Sequence, residues 1–213
     1  MARVLVLNGP NHAFDKSAPI VHEAMKRSGH DSTLADDKRL LASGLDGYDV
    51  VVLGTGFTRR GPAGPDGTRP LHDELDERQA EGLFSFVRSG RGFVGVHGTA
   101  WWIGGEPVKL TGGASNWHPP GLEFTVRVDD REHPIMRGIS DFTVNDEIYI
   151  SSWDPTVRVL ASATWQGRDW PMAWTHRYGQ GRVFFTTLGH GPHTFEVPEV
   201  QGMLANAAGW AAG

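Results

Sequence analysis

Three short segments of this chain are apolar at almost every consecutive position: Arg3 to Asn8 (RVLVLN), Asp49 to Gly54 (DVVVLG) and Phe93 to His97 (FVGVH). A strand with one wet face alternates, whereas a strand covered on both faces reads as a continuous apolar run, so these segments call for a sheet with helices on either side. Helical spacing separates them. Ala18, Val21, His22 and Met25 recur on one face, with Ser17 as the expected N-cap, Pro19 in the first turn and Gly29 at the stop. A second helix is expected over Leu75 to Val87, carried by Leu75, Leu83, Phe84 and Val87 and closed by Gly90. Strands alternating with helices predict a doubly wound parallel α/β sheet, whose ligands gather beyond the carboxyl ends of the strands.

The second half has a different texture. Trp101 to Pro120 is a Gly, Trp and Pro-rich connection too long for a simple loop. Alternation marks Leu122 to Val128, Glu147 to Ser151, Val157 to Ala161 and Met172 to His176 as strands, so a β-rich C-terminal half is added to the core. Arg182 to Leu188 returns to the buried-strand pattern, and Pro198 to Trp210 reads as a final amphipathic helix. With no internal repeat or flexible linker, one domain over residues 1–213 is expected. Such a chain buries roughly 70% of its unfolded surface. Arg59 to Arg69 (RRGPAGPDGTR) alone has the composition of a disordered segment or a surface loop.

Composition removes several chemistries. There is no cysteine, so disulfides, thiolate catalysis and thiolate metal sites are excluded together. A formal net charge of −5 without a basic block argues against a nucleic-acid partner. The N-terminal stretch MARVLVLNGPNH reads as a strand and turn, so no membrane partner and a cytoplasmic location are expected. Ten histidines and eight tryptophans suit a sugar pocket, in which flat apolar faces stack on ring C–H groups and polar tips hold hydroxyls.

The titratable residues at predicted strand ends are the site candidates. His12 (NGPNH), His97 (GVHGT) and His190 (LGHGP) each follow a strand assigned to the parallel sheet, so all three should project from one sheet edge. His118 (NWHPP) lies in the Trp-rich connection, where Trp101, Trp102 and Trp117 could form a stacking wall. Glu147 and Tyr149 (NDEIY) are expected on one face of a strand with Ser151, Glu147 as a general base and Tyr149 as a hydroxyl donor. His133, before Pro134, reads as a turn brace. No HExxH motif and no helical histidine pair occurs, so a divalent metal has candidate ligands but no local signature. The run Gly95-Val-His-Gly98 also lacks the serine of a hydrolase elbow.

In order along the chain, NGPNHAF, GFVGVHGTA, TGGASNWHP, DDREHPIMRGI, NDEIY and PMAWTHRYGQGRVFFTTLGH resemble the trehalose utilisation (ThuA-like) family of the class I glutamine amidotransferase-like superfamily. The resemblance runs over nearly the whole chain. It implies a flavodoxin-like core and a link to disaccharide metabolism through 3-keto sugars, with a sugar dehydrogenase as a metabolic neighbour. It also implies that His97 stands where the amidotransferases carry a catalytic cysteine, so a glutaminase reaction is not expected. His12, His97, His118, Glu147 and His190 carry over as a pocket. The chain departs from the family at Gly98, where serine is common, leaving Thr99 as the nearest hydroxyl.

Two functions follow. One is a carbohydrate-active isomerase, lyase or hydrolase that works on a disaccharide or 3-keto sugar by proton transfer among His97, Glu147 and His190. The other is a non-catalytic sugar-binding module that uses the same pocket; in both, His12, Trp102, Trp117, His118 and Tyr149 are expected to bind the sugar. A homo-oligomer built on the Trp-rich connection is compatible with both.

Overall fold

The computed structural model describes residues 1–54, 56–57, 59–69, 71–72, 75–99 and 107–213. Five parallel strands form one half of the main sheet: β1 (Arg3–Leu7), β2 (Asp31–Ala35), β3 (Val50–Gly54), β6 (Gly92–Val96) and β13 (Gly181–Thr186). Four antiparallel strands continue it: β12 (Arg168–Tyr178), β11 (Arg158–Trp165), β8 (Leu122–Val128) and β9 (Phe142–Asp146). The order is β2-β1-β3-β6-β13-β12-β11-β8-β9. Two short ribbons lie apart, β7 (Gly113–Trp117) with β10 (Ile150–Trp153), and β4 (Arg59–Arg60) with β5 (Leu71–His72).

The continuous apolar runs have a simple cause. Successive side chains of a strand point to opposite faces. Val4, Val6, Val50, Val52, Val94, Val96 and Phe184 therefore pack on one side with α1 (Phe14–Arg27) and the C-terminal helix (Pro198–Ala212). Leu5, Leu7, Val51, Leu53, Phe93 and Val183 pack on the other with α2 (Leu40–Ser43) and α3 (Glu77–Arg88). Each fully buried aliphatic side chain contributes roughly 1.5–3 kcal/mol, so neither face tolerates a charge. In the antiparallel half β8 and β9 alternate, burying Phe124, Val126, Val128, Phe142 and Val144 while their neighbours face solvent.

The strand directions decide where functional groups can meet. Four successive antiparallel pairings lead from β13 to β9, so β9 runs in the same sense as β1, β6 and β13. The carboxyl ends of these four strands, one of them from the β-rich half, open on the same side of the sheet.

Several local expectations are corrected. Helix α1 starts at Phe14 after a 3-10 turn over Asn11–Ala13; Ser17 is a buried residue within it, and Pro19 is also internal. Packing sets this start: the Phe14 ring fills the space beside Gly54, where a Cβ would lie 2.2 Å from it. Helix α3 begins at Glu77, two residues later than Leu75, behind the capping box of Asp76 and Gln79. Strand β2 (DSTLA) was not expected, because it is a half-exposed edge without the apolar run. Part of the Trp-rich connection forms β7. Glu147 to Ser151 is not one strand, since β9 ends at Asp146 and β10 begins at Ile150. Arg59 to Arg69 is not without order: β4 pairs with β5, and Asp66 accepts from the Thr68 amide at 3.0 Å and its hydroxyl at 2.6 Å.

At the opposite, amino-terminal edge, Asp49 ties three strands together. It accepts from the Arg3 amide at 3.0 Å, from the Arg3 guanidinium at 2.8 Å and from Arg91 at 2.8 Å. Hydrogen bonds from Arg3, side chain first, hold its carboxyl down to about 2. A carboxylate depressed in the folded state stabilises above its unfolded value of about 3.9, and that stability is lost as pH falls through about 2. Because both arginines are half exposed, the effect is discounted to ~1 kcal/mol. Asp49→Asn should unfold at lower urea than the parent at pH 7, with the gap closing by about pH 2.

Candidate active site

His12, His97 and His190 are delivered by the turns after β1, β6 and β13, and the structure brings them together. Their ring centroids lie 4.9 Å (His12 to His97), 5.1 Å (His12 to His190) and 5.5 Å (His97 to His190) apart. Two of them sit on unusual backbone. His12 has φ 51° and is followed by Ala13 at φ 53°, while His97 has φ 52°. Left-handed backbone at a non-glycine residue costs on the order of 1 kcal/mol and persists only where its surroundings enforce it. Both turns point an imidazole back across the strand ends.

His97 is fully buried and held at both nitrogens. Its Nδ1 lies 2.6 Å from the Thr187 carbonyl oxygen, which can only accept, so Nδ1 carries the proton. Nε2 is then the lone-pair nitrogen and accepts from the Tyr149 hydroxyl at 2.8 Å. Burial, reinforced by the charges of Glu147 and Asp146, pushes the Tyr149 phenol well above its ordinary value and keeps the proton on that oxygen. Thr99 adds no hydroxyl to the pocket. It is buried, and its Oγ1 lies 2.7 Å from both the Leu53 and Val96 carbonyls, knitting the strand ends together.

Glu147 lies at the centre of the group and is 7% exposed. Its carboxylate is 3.0 Å from His190 Nδ1, 3.4 Å from His118 Nδ1 and 3.5 Å from His97 Nε2. Burial alone would raise its pKa, and this is the largest single influence. Contacts with His190 and His97 together outweigh it and hold the carboxyl far below the usual range. The Glu147 contact in turn raises His190 above its ordinary value, against the effect of burial. His12 moves the other way, down to about 4, first through burial and then through the neighbouring His97 and His190. At neutral pH the group therefore combines an ionised carboxylate, a histidine biased towards imidazolium and a neutral imidazole.

Of the sequence candidates, His12, His97, His118, Glu147, Tyr149 and His190 converge; the His118 ring also stacks on Tyr149 at 5.6 Å. Glu147 and Tyr149 arrive from the irregular link between β9 and β10 rather than from a strand face. Trp117 stands apart at 55% exposed, its ring 5.8 Å from Trp165. Trp102, like Trp101, lies outside the described residues. His133 is a brace, as its sequence context suggested: Nδ1 accepts from the Ile135 amide at 3.2 Å and the ring packs on Trp210. A cavity of about 660 Å³ opens beside the His12 turn, lined in part by Asn8, Pro10, Asp15, Asp37, Arg39 and Phe57.

Sequence reasoning missed Asp146. This 2% exposed carboxylate accepts from the Glu147 amide (2.7 Å), the Gly189 amide (2.7 Å), the His190 amide (3.2 Å) and the Thr194 hydroxyl (2.7 Å). Gly189 has φ 131°, and a Cβ there would meet Val96 at 2.7 Å, so the turn that presents His190 requires glycine as well as this acceptor. The adjacent acidic pair in NDEIY was the available signal.

Comparison with known proteins identifies the family and the fold. The family model described as trehalose utilisation, ThuA, matches residues 3–211. The chain belongs to the ThuA family. A ThuA-like protein from Parabacteroides merdae superposes with a TM-score of 0.76 at 20% identity, covering 99% of this chain and 89% of that one. One from Bacteroides uniformis gives 0.73 at 20% identity, with 98% and 90% covered. A β-galactosidase from Bacillus circulans sp. alkalophilus matches at 0.63 and 14% identity over 98% of this chain but 30% of its own, so there the same fold is part of a much longer chain. No curated protein matches by sequence. Membership of the ThuA family places the chain in sugar metabolism. No helix among the described residues is long and apolar enough to cross a membrane.

Removing the Asp146 carboxylate strands four donors and releases the His190 turn. Asp146→Ala should cost ~3 kcal/mol in urea unfolding, well above a typical surface substitution.

Proposed function

We propose that this ThuA-family protein is an enzyme acting on a disaccharide or 3-keto sugar by proton transfer, leading to isomerisation or elimination. The observation that carries the reading is the buried, ionised Glu147 in contact with three histidines at one sheet edge. A carbon beside a carbonyl loses its proton to a positioned base while the electron pair moves onto the carbonyl oxygen as an enediolate. His97 suits the base: its Nε2 lone pair, which accepts from the Tyr149 hydroxyl in the resting arrangement, is 3.5 Å from Glu147 Oε2, which would face the proton once Nε2 has taken it. His190, biased towards imidazolium by Glu147, supplies the positive charge for the enediolate oxygen. Glu147 itself is held too acidic to be the base first expected of it, and its work is to stabilise both imidazolium states. The proton returns at the neighbouring carbon in isomerisation, or the glycosidic oxygen leaves with a proton from the acid in elimination.

Other features agree with this reading. The cavity beside the His12 turn, with Asn8, Asp15, Asp37 and Arg39 in its lining, has room and polar groups for a second sugar ring. The order β2-β1-β3-β6-β13 supports a flavodoxin-like core with its site at the strand ends. Exposed Trp117 on Trp165 favours the second reading, a module that holds a sugar without changing it.

Incubation with 3-keto and unoxidised disaccharides, followed by mass analysis of products, separates the two. The enzyme reading expects turnover that falls by ~10²- to 10⁴-fold in both His97→Ala and Glu147→Gln. A ligand bound and recovered unchanged, or turnover kept in both variants, would overturn it in favour of the module.

A further inference from the structure

One ring nitrogen from each of His12, His97 and His190 lies within 4.8 Å of the other two, a group able to share one ion. We infer that these three imidazoles form a binding site for a single divalent transition ion, of the Zn²⁺ or Co²⁺ class. The inference goes beyond the proton-transfer reading and does not depend on it.

The outer contacts of the rings are those that prepare histidines as ligands. A metal-bound histidine normally donates its second ring N–H to a carbonyl or carboxylate, which fixes both tautomer and orientation. Two of the three rings do so here. His97 Nδ1–H donates to the Thr187 carbonyl at 2.6 Å, and His190 Nδ1 faces the Glu147 carboxylate at 3.0 Å, leaving both Nε2 atoms as the inward donors. His12 contributes a different signal. Its Nδ1 is buried and has no hydrogen-bond partner among the described residues, and its ring is held among the other two by left-handed backbone at a cost in strain. A buried imidazole nitrogen without a partner is explained by a ligand that the site is built to receive.

The donor set selects the ion. Three imidazoles, each neutral when it binds an ion and so releasing any proton it carries, suit borderline ions and leave one or more coordination positions open, as catalytic zinc sites do, whereas Mg²⁺ and Ca²⁺ prefer oxygen donors. Glu147 is within reach of the same space and offsets the charge of the ion. Tyr149 is the competitor, since its hydroxyl occupies the His97 Nε2 lone pair in the ion-free arrangement. With His12, His97 and His190 holding an ion, the site would gain positive charge for an enediolate oxygen, and proton removal would fall to a side chain other than these three.

The test is direct binding on tag-free protein stripped with a chelator, by titration calorimetry and by the visible spectrum of added Co²⁺. One equivalent of Zn²⁺ or Co²⁺ is expected, with no uptake of Mg²⁺. His12→Ala, His97→Ala and His190→Ala should each weaken binding by ~100-fold or more, while Tyr149→Phe binds as tightly as the parent or tighter. Less than one equivalent in the parent, or parent-like affinity in His12→Ala, overturns the inference. Anomalous diffraction from Zn²⁺-soaked crystals keeps the question answerable if the alanine variants do not fold: a peak among the three rings supports the site, and a peak elsewhere overturns it. Binding without sugar turnover leaves the site standing and removes the proton-transfer reading; turnover by protein that binds no ion does the reverse.

Discussion

The candidate site depends on one buried carboxylate that does no chemistry. Asp146 ends β9 and holds, through its two oxygens, the amides of Gly189 and His190 and the hydroxyl of Thr194. It thereby fastens the β-rich half of the chain to the turn after β13. Glu147 follows it directly, with its own amide on Asp146, so the same contacts that close the fold carry Glu147 onto His97 and His190. A buried carboxylate is tolerable only when its lone pairs are used, and four donors use them here.

Electrostatics then divides labour among residues that look alike in sequence. His12, His97 and His190 all sit at strand ends, yet His190 is raised by Glu147, His12 is lowered by burial, and His97 is locked by a carbonyl on one side and a phenol on the other. A site made of such unlike imidazoles can hold a proton, release one, or present lone pairs to a cation. Backbone strain at His12 and His97 is consistent with function having set these turns, because the fold alone would accept glycine at either.

Much of the fold was legible because its physics is local or nearly so. The three apolar runs and the spacing of α1 and α3 report burial on two faces and on one face, and these patterns survive in the structure. Strand β2 escaped notice because an exposed edge leaves no apolar trace, and the start of α1 was misplaced because Phe14 packing against Gly54 outweighed the capping serine. The three strand-end histidines could be grouped from sequence, since parallel strands share an edge. The position of Glu147 could not be reasoned correctly, because an alternating pattern assumed a strand where the chain in fact turns.

By itself, the sequence determined the class of fold, the absence of thiol chemistry and the identity of most side chains that gather at the strand ends. These follow from which residues must be buried and which types are present. Tertiary structure alone decided that β9 runs in the same sense as the parallel strands, that Asp146 anchors the His190 turn, and that Glu147 lies among the histidines that hold it ionised. The first is set by a series of strand pairings, and the other two by contacts between residues more than 40 positions apart, such as Gly189 with Asp146 and Glu147 with His97. Field strength, burial and tautomer depend on distance in space, and no local pattern in a chain records that distance.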